Sequence, residues 1–270
     1  DPAGNTGTGS SVTTLDTGAP TIAVSGPSGL TNNDSPNVTG STDQPNGSSV
    51  SVTITGPTGD TCSATVSGGA WSCAVGPLAD GAYSISATTT DTAGNSATAT
   101  GSFDLDNTEP VVAISGPSLT NDSTPTVNGT TDQPDGSTVT LKNSNGDTLC
   151  SATVASGAWS CTVTGFPLTE GPNTLTAETT DPAGNTGTGS SVTTLDTGLP
   201  VIAVSGPSGL TSNDSPNVTG STDQPDGATV TVTITGPTND TCSATVNAST
   251  WSCAVGPLTD GSYSISASTT

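Results

Sequence analysis

This sequence predicts an all-β protein made of tandem antiparallel β-sandwiches, on three observations. The first is a period of 90 residues: Pro20, Pro110 and Pro200 sit in the phrases APTIAVSGPSGL, EPVVAISGPSL and LPVIAVSGPSGL. A period this long is one whole small domain and exceeds a solenoid turn or a heptad. The second is alternation with period two in short runs. In Ser49–Thr55, Val50, Val52 and Ile54 fall on one face and Ser51, Thr53 and Thr55 on the other, the pattern of a half-buried strand. The third is turn chemistry at regular spacing (DQPNG, GPLADG, DTAGN) with no helical pattern between.

The repeat sets the domain layout. The first sixteen residues, DPAGNTGTGSSVTTLD, recur unchanged as Asp181–Asp196. Residues 1–16 are therefore expected to be the final strand of a preceding repeat. Residues 17–106 and 107–196 are then two complete repeats, and residues 197–270 a third without its last strand. Joining Thr270 to a following Asp1 would regenerate the array, so the chain reads as a three-repeat segment of a longer polymer of domains. The alternative is a subunit of this length, with Asp1–Asp16 of one copy completing the third repeat of the next, head to tail, by strand addition. The linkers LDTGAP, LDNTEP and LDTGLP are short and contain proline, which predicts an extended rod with neighbours in a fixed relation.

Within residues 17–106, Thr21–Ser25 is expected as a first short strand with Ile22 and Val24 inward. Turn residues run to Pro36, and Asn37–Thr42 is the next strand, closed by the turn at Asp43–Gly47. The alternating strand Ser49–Thr55 follows. Cys62–Val66, a turn at Ser67–Ala70 and Trp71–Cys73 read as a tight hairpin tied by a disulfide that Trp71 covers. Tyr83, Ile85 and Ala87 then alternate into the core, and a last strand ends in Phe103 and Leu105. The second repeat lacks one glycine after GPS and carries Asn173 where its neighbours have Tyr83 and Tyr263.

Composition bounds the chemistry. Hydrophobic residues are 29% and aromatic ones 3% of the chain, so each core is lean. Such a core folds when staples assist it. Twenty-three acidic residues stand against one basic residue, Lys142, with no histidine, a formal charge of −22. Nucleic acid, phosphate ligands and anionic membranes are poor partners for that charge; divalent cations are good ones. High charge of one sign also keeps a long polymer soluble. The six cysteines form three Cys-x10-Cys pairs: Cys62 with Cys73, Cys150 with Cys161 and Cys242 with Cys253. A zinc site needs four ligands and here has no histidine to help, so disulfides are the reading favoured, and with them an oxidising, extracellular location. Trypsin has a single site, Lys142.

The phrases VTGSTDQPNGSSVSVTI and PLADGAYSISATTTDTAGN, followed by a closing strand ending in LD, resemble the bacterial Ig-like repeats of giant surface adhesins of the RTX and biofilm-associated types. The sharpest piece is the D-x-AGN phrase at Asp91, Asp181 and Asp1. The resemblance implies Ig-like sandwiches that act as extenders, projecting a binding tip from the cell surface, many with calcium at domain junctions. The Cys-x10-Cys pair is not part of what that resemblance requires.

Calcium takes six to eight oxygen ligands. If the linker and two loops share one pole of each sandwich, the second repeat gathers Asp106, Asn107, Glu109, Asp132, Asp135, Asp181 and Asn185 there. The first repeat offers Asp16, Asp43, Asp91 and Asn95 with Asn46, and the third Asp196, Asp223 and Asp226. The competing reading is plain turn chemistry, since Asp, Asn and Gly are what turns use. No catalytic constellation is apparent: histidine is absent and every cysteine belongs to a repeating pair, so the chain is read as a non-enzyme. The expected function is a structural segment of a secreted filament or adhesin stalk, its partners being neighbouring repeats or head-to-tail copies, with no nucleic acid and no membrane insertion. A cell-surface or host ligand would be met by regions outside this segment. The alternative function is an adhesive module binding carbohydrate, ice or a host protein. Asn37, Asn128 and Asn217 head glycosylation triplets that chance also supplies in a chain so rich in Ser and Thr.

Overall fold

The structure is a computed structural model describing residues 1–270. It divides into two compact units, Asp1–Asp196 and Thr197–Thr270. The first unit holds two sandwiches. The strands of the first are β1 (Ile22–Gly26), β2 (Gly29–Thr31), β3 (Asn37–Thr42), β4 (Ser49–Thr55), β5 (Asp60–Thr65), β6 (Ala70–Ala74), β7 (Gly81–Thr90) and β8 (Ser96–Leu105). The second has β9 (Val112–Ile114), β10 (Leu119–Thr120), β11 (Thr126–Thr131), β12 (Thr138–Asn143), β13 (Thr148–Thr153), β14 (Ala158–Thr162), β15 (Gly171–Thr180) and β16 (Thr186–Leu195). The second unit has β17 (Ile202–Gly206), β18 (Asn217–Thr222), β19 (Thr229–Thr235), β20 (Asp240–Thr245), β21 (Thr250–Ala254) and β22 (Ser264–Thr269).

Each complete sandwich packs a three-stranded sheet on a five-stranded one. In the first these are β1-β3-β6 and β2-β8-β7-β4-β5, and in the second β9-β11-β14 and β10-β16-β15-β12-β13. The final strand runs antiparallel to β7 and parallel to β2, so it bridges them. The alternation read in the sequence is the burial pattern: Val50, Val52 and Ile54 are 1% exposed or less, while the Ser and Thr between them face solvent. Tyr83, Ile85, Ala87, Phe103 and Leu105 are buried in the same core.

The hairpin expected at Cys62–Cys73 is not one. β5 belongs to the five-stranded sheet and β6 to the three-stranded sheet, linked by only an isolated bridge, Ser67 to Ala70. The disulfide Cys62–Cys73 therefore fastens the edge of one sheet to the edge of the other, with 6.1 Å between Cα atoms. Cys150–Cys161 and Cys242–Cys253 repeat the device. A strand that switches sheets looks, in sequence, the same as one that folds back, because both give two alternating runs around a turn.

Trp71 is seated against backbone. A Cβ on Gly40 would lie 2.0 Å from the Ala23 carbonyl oxygen and 2.2 Å from Trp71 Cζ2, so glycine is what lets the indole lie across β3. Gly129 and Gly220 do the same for Trp159 and Trp251. Trp71 Nε1 donates to the Ser41 carbonyl at 3.3 Å.

Residues 1–16 form no strand here, although the identical Asp181–Asp196 contains all of β16. Val12 and Leu15 are 96% and 86% exposed. A strand needs a neighbour to take its backbone hydrogen bonds, and none of the strands of residues 17–270 pairs with this copy.

Candidate functional site: the junction of the first two sandwiches

Acidic turns and a six-residue linker, Asp106–Val111, meet between the first and second sandwiches. The D-x-AGN loop is built locally. Asp181 Oδ1 accepts the backbone N–H of Gly184 and of Asn185 at 2.8 and 2.9 Å, and Asn185 Nδ2 donates to Asp181 Oδ2 at 2.8 Å. The same Nδ2 reaches the linker and donates to the Asp106 carbonyl at 2.7 Å. Asn185 is buried. In the first sandwich Asn95 pairs with Asp91 and reaches the Asp16 carbonyl at 3.1 Å. The two loops thus grip equivalent points of their incoming linkers.

From the other side the linker is held by Asp80, whose carboxylate accepts the Asn107 N–H at 2.8 Å and the Thr108 hydroxyl. Those bonds, Thr108 first, hold the Asp80 carboxyl below the usual range. The Asp91 carboxyl is lowered mainly by the Asn95 amide. At Asp181 desolvation pushes upward, and the bonds from Asn185 and Gly184 outweigh it, leaving the carboxyl lowered.

The remaining predicted residues are distributed rather than gathered. Asp43, Asp132 and Asp223 each accept the N–H of the residue that leads into the first strand of their own repeat: Thr21, Val111 and Val201. The Thr21 bond is the chief cause that lowers the Asp43 carboxyl. Asn46, Asp135 and Asp226 accept N–H groups of the turn after the fifth strand, from Gly68, Ser156 and Ala248. Asp16 and Asp106 cap their own linkers through Gly18 and Thr108, Asp196 donates its N–H to the Thr120 carbonyl, and Glu109 is exposed. No group of three or more acidic side chains converges as metal ligands would. Most of these carboxylates accept backbone N–H groups, and those bonds make a set of turn and linker clamps.

Sequence reasoning missed Asp80. Its signal was present: an acid recurs at this place in PLADG, PLTEG and PLTDG, as Asp80, Glu170 and Asp260, one step of 90 apart. Asp60 was missed too; its carboxylate accepts the Gly76 N–H at 2.8 Å and ties the start of β5 to the loop after β6.

A family described as the bacterial Ig-like domain matches residues 16–107 and 113–197. The chain belongs to that family. Bacterial Ig-like domains thus account for both sandwiches of the first unit. No curated protein sequence matches the chain. Among solved structures it is similar to a tetra-tandem repeat in the extending region of a large adhesion protein, at 27% identity and a TM-score of 0.33, covering 93% of this chain and 70% of that one. It is also similar to a chain from work on host cell surface retention of a 1.5-MDa bacterial ice-binding adhesin, at 24% and 0.38, covering 90% and 88%. The BSP domain of a biofilm associated protein matches at 26% and 0.26, over 67% of this chain and 30% of that one.

Proposed function

We propose that this chain is a load-bearing segment of an extracellular bacterial stalk, in which bacterial Ig-like domains act as extenders and the linkers as stiff joints. The observation that carries this reading is the double grip on residues 106–108: Asp80 of one domain and Asn185 of the next bond to adjacent linker residues. Each sandwich also carries a disulfide between its two sheets, which resists their separation. Charge of one sign keeps such a polymer from self-association. A divalent cation drawn to the linker carboxylates would add to the clamp, as the secreted adhesin resemblance implies.

The test is rotational diffusion measured by NMR relaxation on the whole chain. The reading predicts that the first two domains tumble as one body, and that Asp80→Asn with Asn185→Ala releases them. Independent tumbling of the unaltered pair would refute it.

A further inference from the structure

Tension applied through the linkers enters a sandwich at one pole and leaves at the other. In the first sandwich Asn95, in the turn before β8, donates to the Asp16 carbonyl at 3.1 Å, so the entering chain lies beside the start of β8. The departing chain is held by Asp80, next to the start of β7, which accepts the Asn107 N–H at 2.8 Å. β7 and β8 are antiparallel and ten residues long, which sets these two holds about 30 Å apart. The pull therefore runs along the strands.

On the departing side the hold is long: β8 pairs with β7 along its whole length, from Ser96 to Leu105. On the entering side it is short. β1 pairs with β3 from Ile22 to Gly26, with a break in register between Val24 and Gly26. β2 pairs with β8 only from Gly29 to Thr31, and it is parallel to β8. The entering chain draws β2 backward while the departing chain draws β8 forward, so the two strands are pulled past each other. Hydrogen bonds between strands loaded this way share the force and must break together, whereas bonds peeled from one end break singly.

The pair continues into the linker. The Asp106 N–H donates to the Thr31 carbonyl at 2.9 Å, and the Asp106 carbonyl accepts the Asn185 amide at 2.7 Å. One residue thus connects the loop of the second domain to β2 of the first.

The second sandwich reaches the same arrangement with different groups. It lacks the glycine after GPS, and β10 is only Leu119–Thr120, parallel to Thr194–Leu195 of β16. Thr194 donates its N–H to the Ser118 carbonyl, and Asp196 donates its own to the Thr120 carbonyl, both at 2.9 Å. Thr193, 1% exposed, adds a bond from its hydroxyl to the Pro117 carbonyl at 2.8 Å. The first sandwich has Phe103 at this place, stacked on Tyr83 at 5.1 Å. A buried hydroxyl makes up for the shorter strand.

The disulfides lie off this path. Cys62–Cys73 joins β5 to β6, at the sheet edges opposite β2 and β1. Cys150–Cys161 joins β13 to β14, at the edges opposite β10 and β9.

We propose that the parallel pairs β2–β8 and β10–β16 are shear clamps that set the tension each domain withstands. β1 and β9 slide first, and a domain lengthens only when its clamp gives way. The source of the tension rests on the stalk reading; the clamp is a property of each domain and stands even if neighbouring domains tumble independently.

The test holds the whole chain by its two ends at constant tension and times the lengthening step of each of the first two domains. The N–H and carbonyl of one strand residue point the same way, so the Thr31 N–H faces β8, and Thr31→Pro removes it from the clamp. The expected result is an about tenfold shorter lifetime for one step, with the other unchanged. Thr193→Val removes the buried hydroxyl and is expected to shorten the other step about fivefold. Asp60→Ala removes the bond to the Gly76 N–H on the disulfide side; it is expected to lower stability in urea and leave both lifetimes under tension as they were. Unchanged lifetimes in Thr31→Pro and Thr193→Val overturn the proposal, as does equal shortening by Asp60→Ala. If Thr31→Pro abolishes the folding of the first domain without tension, the comparison of Thr193→Val with Asp60→Ala decides alone.

Discussion

The side-chain amide of Asn185 donates to the backbone carbonyl of Asp106 at 2.7 Å, joining a loop and a linker 79 residues apart in sequence. It holds Asp181 with the same nitrogen, so one buried group closes its own turn and fixes the chain entering the domain. Asn185→Ala leaves the Asp106 carbonyl and Asp181 without that donor. The expected cost is about 1–3 kcal/mol in urea unfolding of the second domain, with faster hydrogen exchange in the linker. An unchanged midpoint would show that the clamp contributes nothing.

Each disulfide joins edge strands of opposite sheets across a separation of 11 residues. Changing Cys62 and Cys73 to Ser is expected to lower the stability of the first domain by about 3 kcal/mol and leave the second domain's transition in place. The check is calorimetric melting with the domains resolved by their separate transitions. Loss of both transitions together would mean the domains do not unfold independently.

Acid is expected to destabilise the protein. Hydrogen bonds lower the folded-state carboxyls of Asp80, Asp91 and Asp60, led respectively by Thr108, Asn95 and the Gly76 N–H. Groups depressed in the folded state contribute stability above their unfolded pKa of about 3.9, and lose it as pH falls through the folded value. The melting temperature should therefore hold steady from pH 7 to about 5 and fall below about 4. Protonation also relieves repulsion within a chain of net charge −22, which offsets part of the loss. Asp80→Asn with Asp91→Asn should flatten the acid limb; an unaltered limb would assign it to other carboxylates.

Calcium is tested by melting at constant ionic strength with calcium, magnesium or chelator. A cation held at the linker carboxylates predicts a rise in melting temperature that is specific to calcium and grows with its concentration. Equal melting temperatures in calcium and magnesium would leave screening of acidic charge as the whole effect and remove the calcium reading.

Much of the fold was legible because period-two alternation and turn residues are local signals. Val50, Val52 and Ile54 lie inward as read, and so do Tyr83, Ile85 and Ala87. The cysteine pairs were legible for the same reason. What was not legible was which sheet β5 and β6 join, because a crossing between sheets and a hairpin leave the same pattern. The acidic residues were found, and their hydrogen-bond partners were not: which N–H groups a carboxylate meets is decided by chain segments brought together in the fold, which identity and spacing do not show. Asp80 escaped because it binds the next domain's linker rather than its own loop.

The sequence DPAGNTGTGSSVTTLD occurs twice, so the chain carries its own comparison. In both copies the turn forms: Asp1 Oδ1 accepts the N–H of Asn5 at 3.0 Å, as Asp181 Oδ1 accepts that of Asn185. That much the sixteen residues determine by themselves, since donor and acceptor are four residues apart and Gly4 and Gly184 supply the left-handed backbone the turn requires. The strand forms in one copy only. Residues 186–195 pair with β15 along their whole length and bury Thr193 and Leu195, while Thr13 and Leu15 lie in solvent. A turn satisfies its hydrogen bonds within itself; a strand must find them on a neighbour, and its side chains gain from burial only when a groove receives them. Alternation, turns and cysteine spacing were thus set by the sequence. Strand formation, the assignment of edges to sheets and the pairing of Tyr83 with Phe103 were decided by what the rest of the fold placed alongside.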